Sequence, residues 1–248
     1  MSLWSSDDPQ RWEDQLAGYA QAVAGLGKVS KEGTTLAELD RWFHDELPTQ
    51  LSAMAESGKP ARLNSAQLVK LVDWKLTRGK WRPRLLGFAK DLTAAQVESA
   101  SQAALDVLAP QRGKNVPAQA IKEALDALCV LKGVGPATAS AVLEAYNPSI
   151  PFLSDEAQQA ALGSKDYTVK AVQQLASALQ DKAKRLSAAG ERQWTAKEVE
   201  QCLFASAAGG KEAGGLKPAA GGKRKSGGGQ EAGAAGKTAG GSGSKRKR

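Results

Sequence analysis

Residues 131–143 read Leu-Lys-Gly-Val-Gly-Pro-Ala-Thr-Ala-Ser-Ala-Val-Leu, with Gly133 and Gly135 on either side of one apolar residue. An amphipathic stretch precedes this loop, and a second apolar stretch follows it from Pro136. Glycine permits a positive φ and the close approach of another backbone. Proline fits the first turn of a helix, where its missing N–H costs nothing. The pattern predicts two helices joined by a tight turn over residues 117–146.

The same turn is a candidate phosphate site. Amides at the first turn of a helix have no intrahelical acceptor, and the helix dipole adds partial positive charge there. We therefore expect the turn to contact DNA through Lys132, Gly133, Val134, Gly135, Ala137 and Thr138. In this turn Val134 would anchor the loop between the two helices. The alternative is a hairpin that only reverses the chain.

The segment resembles the helix-hairpin-helix motif, an apolar-x-Gly-apolar-Gly loop followed by a Thr-Ala pair, here Thr138-Ala139. In the helix-hairpin-helix DNA glycosylase superfamily, a catalytic aspartate lies 20 residues after the second glycine, and at that distance from Gly135 stands Asp155. The resemblance implies that the Asp155 carboxylate stabilises positive charge on the sugar and activates water. The target base would first be flipped out of the duplex.

Two features depart from the bifunctional members of that superfamily. These members carry a lysine two residues after the second glycine, where this chain has Ala137, and a frequent four-cysteine cluster is absent because the chain has two cysteines. The departures favour a monofunctional DNA glycosylase without lyase activity. Alternatively, Asp155 only caps a helix, and the chain is a non-catalytic DNA- or chromatin-binding module that keeps the fold. A protein-interaction scaffold is a further alternative.

Basic and aromatic residues concentrate in residues 67–90. Seven basic side chains stand against one acidic side chain in residues 70–90. On a helix, Lys70, Trp74 and Arg78 share one face, where cations can hold phosphates and an indole can stack on a base. The candidate DNA-binding residues of this segment are Lys70, Trp74, Arg78, Lys80, Trp81 and Arg82. The alternative is a solvated basic face with the tryptophans in the core.

The run Trp-Lys-Leu-x-Arg-Gly-Lys-Trp-Arg-Pro at 74–83, together with the hairpin and Ser154-Asp155-Glu156, is similar to the Amun-like family. These are eukaryotic nuclear proteins with a DNA-glycosylase-like fold. The resemblance covers roughly residues 10–206. It implies a glycosylase-like body and the nucleus as the location.

Helical signals run through the whole of residues 1–208. Three capping boxes mark helix starts, at Thr35-x-x-Glu38, Thr93-x-x-Gln96 and Thr195-x-x-Glu198, and no long stretch alternates apolar and polar residues at strand period. Gly79 and Pro83 are expected to break the helix that carries Lys70, Trp74 and Arg78. We predict an all-α body of about nine or ten helices in two lobes. The hairpin and Asp155 are expected at the cleft between the lobes.

The net charge of +8 belongs to the C-terminal segment, residues 209–248, which holds ten basic and two acidic residues, whereas residues 1–208 hold 24 of each. The segment is rich in Gly, Ala and Lys, with one leucine and no aromatic residue, so we expect disorder. Its basic clusters, typical of nuclear import, are Lys223, Arg224, Lys225, Lys245, Arg246, Lys247 and Arg248. The alternative is a solubilising appendage.

Several classes of protein are excluded by composition. Two cysteines and one histidine supply neither a disulfide framework nor a usual zinc or iron–sulfur ligand set. The sequence has no apolar run of membrane-spanning length and no signal-peptide pattern. We expect a soluble, intracellular monomer without metal or cofactor, whose partners are double-stranded DNA and chromatin proteins and not a membrane.

Overall fold

The structure is a computed structural model, and it describes residues 2–213. Twelve α-helices make up this part of the chain, and no β-strand occurs in it beyond an isolated bridge between Val29 and Thr35. The helices are α1 Pro9–Ala17, α2 Tyr19–Gly25, α3 Leu36–Arg41, α4 Leu47–Glu56, α5 Ser65–Arg78, α6 Pro83–Asp91, α7 Ala94–Leu108, α8 Ala118–Cys129, α9 Pro136–Tyr146, α10 Asp155–Leu162, α11 Val169–Ala189 and α12 Ala196–Ala213. A π-helical turn, Trp42–Glu46, joins α3 to α4, and a 3-10 turn, Ala109–Gln111, follows α7. The predicted all-α class is confirmed for these residues.

Local signals set many helix ends. The side chains of Thr35, Asn64 and Thr93 each accept a hydrogen bond from the backbone three residues on, and the Glu or Gln there bonds back to the cap amide. Each such cap stabilises a helix by about 1 kcal/mol. The predicted break between α5 and α6 is confirmed, since α5 ends before Gly79 and α6 begins at Pro83.

The buried side chains form one connected core, and the described residues belong to one compact unit. The two lobes expected from the sequence are therefore not separate units. Helix α9 lies at the centre, because every residue from Thr138 to Tyr146 is buried. The turn that precedes α9 is consequently held on a rigid element.

The last helix runs past residue 208, the residue at which the sequence analysis ends the body. Helix α12 continues to Ala213. The rest of the segment 209–248, including both basic clusters, lies outside the described residues. No helix within residues 2–213 is long and apolar enough to cross a bilayer.

Candidate nucleic-acid site

The hairpin has the form predicted from the sequence, with α8 ending at Cys129 and α9 beginning at Pro136. Gly133 adopts a φ of +84°, a conformation that side chains disfavour. A Cβ at this position would lie 2.7 Å from the Cβ of Phe88 on α6. The fold therefore requires glycine at 133, both for the turn and for the packing of α6 against it. Val134 is buried and anchors the loop, as expected.

Gly135 differs from Gly133. It lies at the N-cap of α9 with a φ of −102° and a ψ of 179°, which any residue adopts, and an added Cβ would meet nothing within 4 Å. The fold does not require glycine at 135. A missing side chain at this position leaves the start of α9 open to the close approach of a ligand.

The backbone amides of the turn divide into two groups. Val134 donates to the carbonyl of Leu131 at 3.0 Å, and Thr138 and Ala139 both donate to the carbonyl of Gly135 at 2.9 Å. The amides of Gly133, Gly135 and Ala137 have no hydrogen-bond acceptor within residues 2–213. These three donors, with the dipole of α9, can bind an anion.

Asp155 is the first residue of α10 and does not cap it. The cap is Ser154, whose Oγ accepts a hydrogen bond from the amide of Ala157 at 3.2 Å. The Asp155 side chain is 43% exposed. Its Oδ1 accepts a hydrogen bond from the Tyr167 hydroxyl at 2.6 Å, and its Oδ2 lies 3.5 Å from Nζ of Lys165. The alternative in which Asp155 serves only as a cap is therefore wrong.

The Tyr167 hydroxyl is a hydrogen-bond donor to this carboxylate. The hydrogen bond to Asp155, reinforced by partial burial, raises the pKa of Tyr167 to about 12. The hydroxyl therefore keeps its proton near neutral pH and holds the carboxylate in place as a donor. The guanidinium of Arg82 lies 6.0 Å from the centre of the Tyr167 ring.

A cavity of about 460 Å³ joins these elements. The hairpin contributes Gly133 and residues 135–138, and the start of α10 contributes residues 154–156. Basic side chains from three places in the chain complete the wall: Lys28, Lys75, Arg78, Lys80 and Arg82. The hairpin, the basic segment and Asp155, each singled out from the sequence, thus line one cavity.

Other predicted DNA contacts lie away from this cavity. Lys132 is exposed, and its Nζ lies 4.7 Å from the ring centre of Phe88. Nζ of Lys70 lies 4.7 Å from the ring centre of Trp42. Trp81 lines a neighbouring cavity of about 230 Å³. Their contact with DNA stays a prediction.

The prediction that Trp74 stacks on a base is wrong. Its side chain is fully buried, lies parallel to the ring of Phe43 at 3.7 Å between centres, and donates Nε1 to Oδ1 of Asp40 at 2.8 Å. An indole held in this way is part of the core and cannot reach a nucleobase. The alternative that places this tryptophan in the core is confirmed.

Arg78 also differs from its predicted role on an exposed face. Its side chain is 2% exposed, and Nη2 pairs with Oε1 of Glu200 at 2.9 Å. The other two nitrogens, Nε and Nη1, have no hydrogen-bond acceptor among the described residues. Arg78 therefore contributes to the cavity from a buried position, with donors still unsatisfied.

Sequence reasoning missed three residues of the site. Lys75 lies on the cavity wall, and burial with a further contribution from Arg82 lowers its pKa to about 8. Tyr167 and Lys165 contact Asp155 across a loop. No sequence signal separated Lys75 from the other lysines of its segment, because only the folded chain shows which of them lines the cavity.

The sequence matches no family model, and neither a curated protein nor a solved structure is similar enough to count as a match. Within residues 2–213, no three His, Cys, Asp or Glu side chains gather in a way that would suit a metal ion.

Proposed function

We propose that this cavity binds double-stranded DNA and that Asp155 hydrolyses the N-glycosidic bond of a flipped nucleotide, as in a monofunctional DNA glycosylase. The observation that carries the proposal is the convergence of three features on one cavity: unpaired amides at the start of α9, a concentration of cations, and a half-exposed carboxylate. The nuclear location and the chromatin partners expected from the sequence remain part of this proposal.

The cations and amides suit a phosphate backbone. Lys80 and Arg82 are exposed beside the cavity, and the amides of Gly135 and Ala137 have no acceptor in the described chain. Phosphate contacts of this kind fix the position of a duplex without reading its sequence. Gly135 supports the same interpretation, because its lack of a side chain serves no purpose within the fold and keeps the amides accessible.

The cavity also has a suitable size. Its volume of about 460 Å³ falls among small-molecule pockets of about 300–1,000 Å³. A flipped nucleotide is a ligand of that class. Arg78 lies on the wall and adds positive charge there, while its Nε and Nη1, which have no acceptor among the described residues, are themselves buried.

The chemistry proposed for Asp155 needs one ionised carboxylate. When the bond between C1′ and the base nitrogen breaks, the electron pair leaves with the base and positive charge develops on the sugar. The carboxylate stabilises that charge and accepts the proton of the water that adds to C1′. Tyr167 and Lys165 hold the carboxylate, and Tyr167 stays a donor because of its raised pKa.

A non-catalytic DNA-binding module is the second candidate. One observation favours it: both oxygens of Asp155 already have a partner, Tyr167 at 2.6 Å and Lys165 at 3.5 Å. A carboxylate used in this way stabilises the loop before α11 instead of a sugar. Such a protein would bind the duplex through the same amides and cations and release no base.

Base release from a panel of damaged duplexes tests the proposal. The wild-type chain should release a base from at least one duplex, and Asp155→Asn should lose release and keep binding. Asp126→Asn is the matched control, because Asp126 is an exposed aspartate paired with Lys122 on α8. Binding without release from any duplex would favour the second candidate, and no binding at all would refute both.

A further inference from the structure

A second cavity, of about 500 Å³, opens between α2, α3 and the π-helical turn Trp42–Glu46, and Gln201 of α12 completes its wall. It shares no lining residue with the cavity that contains Asp155. A ligand here would therefore be independent of the proposed DNA function. Single π-helical turns are rare, and they occur frequently at functional sites.

Asp40 places a buried carboxylate on this wall, with its side chain 8% exposed. Oδ1 accepts hydrogen bonds from the Tyr19 hydroxyl at 3.0 Å and from Nε1 of Trp74 at 2.8 Å. Oδ2 accepts no hydrogen bond from the described residues, and it is not sealed in the core. The fold therefore holds one oxygen of the carboxylate and leaves the other open to the cavity.

The charge of Asp40 has no cation beside it. Nε2 of His44 lies 3.6 Å from Oδ1, but burial keeps the pKa of His44 well below its usual value, so the imidazole is neutral. Within residues 2–213, neither a lysine nor an arginine lies within ion-pairing distance of this carboxylate, and Arg78 and Lys197 act on it only from farther away. A buried carboxylate without a paired cation is costly, and a ligand cation on Oδ2 would offset that cost.

The rest of the wall suits a cation on a hydrocarbon stem. Glu38 and Asp45 add two exposed carboxylates, and Arg41 is the one cation on the described wall. Val23 and two alanines supply an apolar surface along which a stem can pack. A single free oxygen matches an ammonium, whose donors surround one point, better than a guanidinium, which binds two oxygens as a fork.

We propose that this cavity is a docking site for a lysine side chain, presented on a basic segment of a partner protein, with the ammonium on Oδ2 of Asp40. Charge supports this choice of partner, because residues 1–58 hold ten acidic and four basic side chains. An acidic surface repels the phosphates of a nucleic acid and attracts basic residues that flank the lysine. Exposed charges of this kind speed association, and the buried carboxylate selects the side chain that enters.

Titration of the full-length chain with a blocked pentapeptide, Gly-Lys-Gly-Lys-Gly, followed by NMR, tests the proposal. The indole N–H of Trp74 is the local reporter because it donates to the same carboxylate, and its signal should shift until the site is saturated. Asp40→Asn should weaken binding by about tenfold or more. This variant keeps an acceptor for Tyr19 and Trp74, so it should fold, and thermal unfolding checks that it does.

Surface variants test the same site without touching a buried residue. Asp45→Asn should weaken binding by about two- to threefold, and Arg41→Gln should strengthen it by about the same factor because a repelling cation is removed. Glu46→Gln is the matched control and should bind as the wild-type chain does, because Glu46 is the exposed neighbour of Asp45 and does not line the cavity.

Three related ligands test which chemistry is recognised. The peptide with Nε-acetylated lysines should not shift the Trp74 signal, and both Gly-Arg-Gly-Arg-Gly and n-butylamine should bind more weakly than the lysine peptide. Equal binding of the acetylated or the arginine peptide would overturn the ammonium site, and equal binding of n-butylamine would overturn the assignment to a partner segment. A Trp74 signal that stays unchanged, or equal losses in Asp45→Asn and Glu46→Gln, would overturn the proposal as a whole.

Discussion

Replacing Gly133 by alanine should destabilise the folded protein, both by backbone strain and by a steric clash with Phe88. The φ of +84° at this residue strains an alanine by about 1–2 kcal/mol. The new Cβ would also lie 2.7 Å from the Cβ of Phe88, an overpacking that typically costs about 1–3 kcal/mol. Phe88 cannot avoid this contact by a rotamer change, because its Cβ moves only with the backbone of α6.

The expected loss for Gly133→Ala is therefore about 2–5 kcal/mol. In a chain of this size, such a loss lowers Tm by roughly 5–15 °C. Gly135→Ala is the matched variant two residues away, where φ is ordinary and the methyl group meets nothing within 4 Å. Its stability should stay within about 0.5 kcal/mol of the wild-type value.

DNA affinity, measured on folded protein, should show the reverse order, with the larger loss in Gly135→Ala. The methyl group of Gly135→Ala would stand at the open start of α9, where it obstructs a phosphate. Loss of a charge-assisted hydrogen bond, worth about 1.5–3 kcal/mol, weakens binding by about tenfold or more. Thermal unfolding by circular dichroism and duplex titration at matched salt check both statements. Equal Tm values for Gly133→Ala and wild type, or unchanged affinity in Gly135→Ala, would refute the reasoning.

Three further predictions concern the buried polar groups. Burial raises the pKa of Glu144 to about 8, so folding favours the protonated carboxyl, and the free energy of unfolding should fall as the pH rises from about 4.5 to about 8. Chemical denaturation across that range should show a smaller fall for Glu144→Gln than for the wild-type protein. The same pH profile in both proteins would contradict this assignment. Glu200→Gln leaves the Arg78 charge without its buried partner, so urea unfolding should show a loss of about 3–5 kcal/mol, and a loss under 1 kcal/mol would contradict a tightly buried pair. Burial raises the pKa of both thiols, and Cys202 is buried whereas Cys129 is only partly buried. Iodoacetamide should therefore alkylate Cys129 in the native protein and both cysteines after denaturation. If Cys202 were alkylated first in the native protein, the core around it would be open to the reagent.

Sequence reasoning predicted the features that depend on neighbouring residues. The hairpin, the capping boxes and the break after α5 each rest on residues within a few positions of one another, such as Thr35 with Glu38 or Gly79 with Pro83. Local hydrogen bonds and backbone preferences decide these features. They were accordingly found where the sequence placed them.

The features that sequence reasoning missed depend on distant partners. Trp74 is buried because Asp40 and Phe43 meet it, and Arg78 is buried because Glu200 lies opposite it. Helix α5 is covered by other parts of the chain on more than one face. Periodicity alone therefore could not decide whether the face with Lys70, Trp74 and Arg78 is exposed or belongs to the core. The position of Lys75 on the cavity wall likewise depends on chain segments that lie far from it in sequence.

Hydrogen–deuterium exchange of the full chain, with and without a duplex, tests the central claim that DNA occupies this cavity. The amides of Gly133, Gly135 and Ala137 have no acceptor in residues 2–213, so they should exchange fast in the unbound protein. Our account predicts that a duplex slows exchange in peptides covering residues 133–138 and 79–82 and that the effect weakens in Gly135→Ala. Protection confined to other parts of the body, with these peptides unchanged, would contradict it.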